Sequence, residues 1–203
     1  MRVENGVIVG SNGKYDTCNP IARRLLKGFD QAIKDCIQNS APKSVLEIGC
    51  GEGHVTKLIL QTYASHILAT DISVSLIEEN RLRIVDQRVS FAVADLMTIG
   101  ISADANWDVL VCCEVLEHLE DPIAGLIALH SIGAREYILS VPREPIWRIM
   151  NMCRGFYLSD FGNSPGHINH FSQKSFLRFI EKYFTICEVK APLPWTIVRC
   201  KPR

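Results

Sequence analysis

The chain has 203 residues, 47% of them apolar, and its 22 basic residues balance 22 acidic ones. The apolar content excludes a disordered chain, and the balance provides no global field for a nucleic acid or an anionic membrane. No apolar run approaches the ~20 residues of a bilayer span, and Met1-Arg2-Val3-Glu4-Asn5-Gly6 lacks the charged-then-apolar layout of a signal peptide.

Residues 1 to 17, rich in Gly and Asn, read as a loosely structured arm. Asn19-Pro20 reads as an N-cap and first helical position, and Ile21, Leu25, Phe29, Ile33 and Ile37 recur at helical spacing, so a helix is expected over Pro20 to Gln38. Strands follow at Ser44–Ile48, His66–Thr70, Val89–Ala94, Trp107–Cys113 and Glu136–Val141, separated by helices at Val55–Tyr63, at Val74–Val85 and from Asp121 to about Ile132. Residues 142–170 then break the rhythm with Pro, Trp, Met, Phe and Tyr, as a lid-like insertion does. A last helix, Gln173–Tyr183, precedes two closing strands, Phe184–Val189 and Thr196–Cys200. This alternation predicts an α/β fold: a doubly wound, mostly parallel seven-stranded sheet with helices on both faces, forming a single domain over 1–203 with residues 1–39 as N-terminal arm and helix. Its ligand is expected at the carboxyl edge, where the strand order reverses. The eight cysteines form no Cys-x-x-Cys; Cys50, Cys112 and Cys113 read as small reduced core residues of a cytoplasmic protein.

The most specific segment is Val45-Leu46-Glu47-Ile48-Gly49-Cys50-Gly51-Glu52-Gly53. A contiguous apolar run reads as a buried parallel strand. Glycines at every second position make a turn that lets backbone approach a ligand, and His54 onward opens the helix facing it. The spacing departs from the dinucleotide G-x-G-x-x-G, and no Gly-Lys-Ser/Thr follows to make a phosphate loop. Glu47 would repel a pyrophosphate but pair with a cationic amino group. Asp71 follows the second of these strands and can accept hydrogen bonds from a ribose diol, or else cap the Val74 helix. Asp95 follows the third, and Cys113-Glu114-Val115-Leu116-Glu117-His118-Leu119 closes the fourth.

Together these strand ends resemble the class I S-adenosylmethionine-dependent methyltransferases, whose Rossmann-like sheet binds a cofactor with an ammonium and a sulfonium but no phosphate. The Glu114–Leu119 segment closely resembles the E-V-L-E-H-[LV] stretch of small-molecule methyltransferases, including those of ubiquinone synthesis. The resemblance covers residues 40 to 141 well and the rest in outline. It implies S-adenosylmethionine as cofactor, with Glu47, Gly49, Cys50, Gly51 and Gly53 around the methionine part, Asp71 and Ile72 at the ribose, Asp95 and Leu96 at the adenine, and Glu114 beside them. It implies methyl transfer to a small-molecule acceptor, at oxygen.

Displacement at a sulfonium needs alignment, exclusion of water and, for a hydroxyl acceptor, a base. His118 is the first candidate and His170 the second; His167 lies in the same Gly166-His167-Ile168-Asn169-His170 stretch. If Glu114 to His118 forms a helical turn, Glu114, Glu117 and His118 share a face, and His170 would complete a divalent-metal set of the kind used by RNA 3′-end 2′-O-methyltransferases. On the simpler reading those groups support the cofactor loop and no metal is assigned. Trp147, Ile149, Met150, Met152, Phe156 and Tyr157 are expected to shape the acceptor pocket, with Tyr15 and Asn19–Arg24 closing from the other side. The competing readings are a nicotinamide-dependent oxidoreductase, a non-catalytic partner subunit and a metal-dependent RNA methyltransferase.

Overall fold

The computed structural model describes residues 2–4, 7–9, 17–98 and 106–203. Strands β1 (Arg2–Glu4) and β2 (Val7–Val9) pair antiparallel, in place of the loose arm expected there. The signal was available: apolar β-branched residues flank Asn5-Gly6, the commonest hairpin dipeptide. The role expected of Tyr15 lies outside the described residues.

Helix α1 (Pro20–Ser40) begins where Asn19 Oδ1 accepts from the Ile21 and Ala22 amides at 2.9 and 3.1 Å, with Pro20 supplying the preset φ of the first turn. It runs two residues beyond Gln38 and ends on Ala41 in the left-handed region (φ 45°). The alternation then delivers β3 (Ser44–Ile48), α2 (His54–Leu60), β4 (His66–Asp71), α3 (Val74–Arg83), β5 (Val89–Val93), β6 (Val109–Cys113), α4 (Pro122–Ser131), β7 (Glu136–Pro142), α5 (Ile146–Cys153), α6 (Gln173–Ile180), β8 (Phe184–Lys190) and β9 (Trp195–Pro202).

Seven strands form one sheet in the order β5-β4-β3-β6-β7-β9-β8. The pairs from β5 through β7 are parallel, and β9 runs antiparallel between β7 and β8. The chain steps outward from β3 to β5 and then returns to lay β6 against the other side of β3, so the switch point falls between β3 and β6. Alternation along β3 sorts its side chains: Val45 faces α1 and α2, while Leu46 and Ile48 face α4 and α6. Both sheet faces are therefore covered, and β6 is buried along its whole length.

At the amino end of β7, away from the strand tips, Glu136 is 4% exposed. Its carboxylate accepts from Ser40 Oγ at 2.7 Å and from Arg199 Nη1 at 2.9 Å, and Arg199 Nε reaches Glu188 at 3.1 Å. Burial raises the Glu136 pKa, but Ser40 and Arg199 outweigh it and hold the group below the usual carboxylate range. This network joins α1 to β7, β8 and β9. Arg199→Met would leave Glu136 buried without its main cation and lower stability by about 2–4 kcal/mol, and adding Glu136→Gln would recover most of the loss. Urea unfolding midpoints of the single and double variants check this.

Candidate active site

The carboxyl ends of β3, β4, β5 and β6 open into a crevice of about 1390 Å³. That exceeds the ordinary range for a drug-sized ligand, about 300–1,000 Å³, and leaves room for two molecules side by side. On the β3 side, the Gly49 and Cys50 amides both donate to Thr70 O at 2.8 Å, locking the turn to β4. Gly49 (φ 74°) lies so close to Val115 that an added Cβ would come within 2.4 Å of it. Gly51 (φ 52°) has the opposite surroundings: nothing lies within 4 Å of where a Cβ would stand, so bare backbone faces the crevice. Buried Asn80 of α3 donates to Gly51 O at 2.8 Å and supports the loop from behind.

Asp71, 8% exposed, accepts the Gly51 amide on Oδ2 at 2.7 Å and the Ser73 amide on Oδ1 at 2.9 Å. Its carboxylate is thus fixed in orientation with further lone pairs toward the crevice. Burial raises its pKa, and the Ser73 and Gly51 amides counter part of that rise. The N-cap of α3 is Ser73, whose Oγ accepts from the Leu76 amide, so Asp71 does not serve as that helix's cap. Glu4 reaches in from β1, accepting from Ser73 Oγ at 2.8 Å. Asp95 and Leu96 line the crevice beyond β5; Asp95 Oδ1 accepts from the Met97 amide at 2.9 Å. Ile72 and Cys50 also line it, and burial pushes the Cys50 thiol far above its usual range.

Glu47 points to the α2 side and is 2% exposed, with Oε2 accepting from Thr56 Oγ1 at 2.6 Å. Burial pushes its pKa up to about 7; Thr56 opposes the rise and the Asp71 charge adds to it.

Across the switch point, Glu114 takes a left-handed conformation (φ 59°), a strain of roughly 1–3 kcal/mol for a non-glycine residue. Its carboxylate accepts from Trp195 Nε1 at 2.9 Å and from Ser140 Oγ at 3.2 Å. The stretch after it is a 3-10 turn over Leu116–His118, not the α-helical turn considered from sequence. Glu114 therefore does not share a face with Glu117 and His118. His170, expected at the site, does not line the crevice, and its Nδ1 lies 3.7 Å from Glu144. The Ile168 and Asn169 amides both donate to Glu117 O at 2.9 Å, which straps the 167–169 segment to the 3-10 turn and carries His170 past the opening. His167 takes the place expected of His170. It meets His118 edge-on with ring centroids 4.9 Å apart, and ligating atoms of Glu117, His118 and His167 lie within 4.8 Å of one another. His118 Nδ1 is 2.9 Å from Gly166 O. This trio of donors, rather than the four of the conditional metal reading, has the spacing and chemistry to hold a divalent cation.

From α5, Trp147 and Met150 line the crevice, with Arg154, Phe156 and Tyr157 following the helix. Ala22 and Leu25 of α1 line it from the other side. Thr56, Asn80, Glu4 and Trp195 had not been singled out from sequence. Asn80 alone left a trace there, a polar residue set among Leu76, Ile77 and Ile84 at helical spacing.

Bare glycine backbone, a fixed acid after the second parallel strand and a crevice at a switch point define a nucleoside-binding doubly wound α/β protein. A family model described as a methyltransferase domain matches residues 46–133. A ubiquinone biosynthesis O-methyltransferase from Xylella fastidiosa is 29% identical over 141 residues, which is 66% of this chain and 56% of that protein. The chain spans about half the length of the curated relatives it matches. Among solved structures, magnesium protoporphyrin IX methyltransferase from Synechocystis PCC 6803 superposes with a TM-score of 0.68 at 18% identity, covering 96% of both chains. The N-methyltransferase NodS from Bradyrhizobium japonicum does so with 0.68 at 17% identity, covering 88% of this chain and 97% of that one. At such identities these structures speak for the fold. Together the domain match, the relatives and the site geometry support a class I S-adenosylmethionine-dependent methyltransferase.

Glu47 also carries a stability consequence. Its folded pKa of about 7 lies above the ordinary 4.5, so the unfolded chain ionises first and the fold loses stability as pH rises between those values. Glu47→Gln keeps an acceptor for Thr56 and removes this penalty. Its melting temperature should exceed the wild type's by several degrees near pH 8, and the gap should close near pH 4. Thermal scans of the ligand-free proteins across that range check it.

Proposed function

We propose that this chain is one methyltransferase domain that transfers a methyl group from S-adenosylmethionine to a small-molecule acceptor, at oxygen, with residues 142–170 forming the acceptor side of the pocket. The observation that carries this reading is the Gly51–Asp71 pair: open left-handed backbone beside a carboxylate already oriented by two amides. These residues fit the cofactor. Gly49, Cys50, Gly51 and Gly53 would hold its amino acid part with Glu47 behind them, Asp71 and Ile72 its ribose, and Asp95 and Leu96 its base. When bound, the cofactor supplies an already activated methyl group on a sulfonium. The chain's own work is then to orient the acceptor, exclude water and accept a proton. His118 and His167 are the candidates for taking up a hydroxyl proton, and the buried Glu117 carboxylate has an oxygen within 4.8 Å of a ring nitrogen of each. The ubiquinone-pathway relatives support an oxygen acceptor of small size.

A second reading, in which Glu117, His118 and His167 hold a divalent cation that lowers the acceptor's pKa, is favoured by their donor spacing. An RNA acceptor is disfavoured by the arginines of the lid. Arg143 donates to Gln173, Arg148 to Phe161 O and Arg154 to Asn151, rather than forming a joint anion site.

Asp71→Ala should weaken S-adenosylhomocysteine binding by about 1–3 kcal/mol in calorimetry, and unchanged affinity would remove Asp71 from the ribose role. His118→Ala and His167→Ala should each lower transfer of labelled methyl to hydroxylated acceptors by about 10²-fold while leaving that affinity intact. Turnover should survive chelation by EDTA; loss restored by added magnesium would establish the second reading instead.

A further inference from the structure

We propose that Glu114 is a positioning residue for the acceptor half of the crevice, acting through the Trp195 indole on Trp147 and His167. The inference rests on the methyl-transfer reading above. Its starting point is the left-handed backbone at Glu114, a conformation that a non-glycine residue holds only when its surroundings over-determine it. Three hydrogen bonds do so. The Glu114 amide donates to Ser140 O at 3.0 Å, and its carboxylate accepts from Ser140 Oγ and from Trp195 Nε1.

Trp195 sits opposite Pro142 at the carboxyl end of β7, 3% exposed, with its ring 4.9 Å from Phe29 of α1 and 5.8 Å from Trp147 of α5. Trp147 in turn donates to Ser164 Oγ at 2.8 Å and stacks on His167 at 5.8 Å with a 26° interplanar angle. His167 meets His118 edge-on. One carboxylate thus anchors a continuous row of rings ending at the candidate proton acceptors. Trp195, Trp147, His167 and His118 all line the crevice. In the strand order, β9 and the turn after β6 lie on the other side of the switch point from the glycine loop that follows β3, Asp71 at the end of β4 and Asp95 just after β5. Glu114 Oε1 accepts from Ser140 and Oε2 from Trp195, so these two side-chain bonds lead to the acceptor wall.

The test compares wild type, Glu114→Ala and Glu114→Gln. Three readouts are used: S-adenosylhomocysteine affinity by calorimetry, methylation of catechol as probe acceptor, and ¹H–¹⁵N spectra of the indole N–H groups. In Glu114→Ala the homocysteine-compound Kd should stay within about 3-fold, while the catechol KM rises about 10-fold with kcat changed less than about 3-fold. The Trp195 and Trp147 indole resonances should both move. Glu114→Gln should restore KM and both resonances, because its amide oxygen accepts the indole N–H and its NH₂ can donate to the Ser140 hydroxyl. Three results would overturn the proposal: cofactor affinity lost about 10-fold or more in both variants, kcat lost equally in Gln and Ala at constant KM, or indole signals unmoved by Ala. If wild type binds no S-adenosylhomocysteine, the methyl-transfer reading fails. The indole spectra, with the His118 and His167 ring-proton shifts, still decide whether Glu114 sets the wall, as they do if catechol is not turned over.

Discussion

A single amide, that of Gly51, donates to Asp71 across the gap between the ends of β3 and β4. It serves two demands that would otherwise conflict. A buried carboxylate that is to meet a ligand must not collapse onto the nearest cation; an amide donor fixes it without neutralising it. A glycine loop must leave its backbone open to a ligand, yet an unsupported loop would fold into the crevice. The Asp71 bond on one side and the Asn80 bond to Gly51 O on the other hold it open. Glu47 belongs to the same constraint from below, since its buried carboxyl lies close enough to Asp71 to feel that charge.

The strand order explains why these groups meet. Because β3 is an interior strand, with β4 on one side and β6 on the other, the tips of both neighbours converge on its glycine loop. The β4 and β5 tips bring Asp71 and Asp95 to the crevice. The β6, β7 and β9 tips supply Glu114, Ser140 and Trp195, which bond to one another. The antiparallel β9 matters here: its direction brings the start of that strand, not its end, to the carboxyl edge. A tryptophan at the first position of β9 thereby reaches the pocket.

Much of this was legible from sequence because the signals were local. The strand–glycine loop–helix unit, the acids after β4 and β5 and the capped α1 each announce themselves within a dozen residues. What escaped depended on long-range partners. His170 and His167 cannot be ranked from their own stretch, since the choice turns on amides that bond to Glu117 O fifty residues away. The helical face drawn through Glu114, Glu117 and His118 failed because a strand tip, pinned to Ser140, forces Glu114 out of helical backbone. Thr56 looked like one more helix residue until Glu47 was placed beneath it. The hairpin at Arg2–Glu4 and Val7–Val9 is a different kind of miss, a local Asn-Gly signal outweighed by the segment's composition.

The electrostatics of the crevice bear on which cofactor chemistry it admits. Its lining includes the carboxyl groups of Glu47, Glu52, Asp71, Asp95, Glu114, Glu117, Glu120 and Asp121, against the guanidinium of Arg154. A pyrophosphate would carry its charge into that field of carboxyl groups, against which the lining residues set the guanidinium of Arg154 on the far wall. A molecule bearing an ammonium and a sulfonium meets the reverse situation, in which each carboxylate that stays ionised lowers its energy. Burial would ordinarily protonate Glu47 near neutrality, and a bound cation beside it shifts that balance back toward the ionised form. Keeping such acids buried costs stability, and a cationic ligand beside them would offset that cost where an apolar side chain in their place would not.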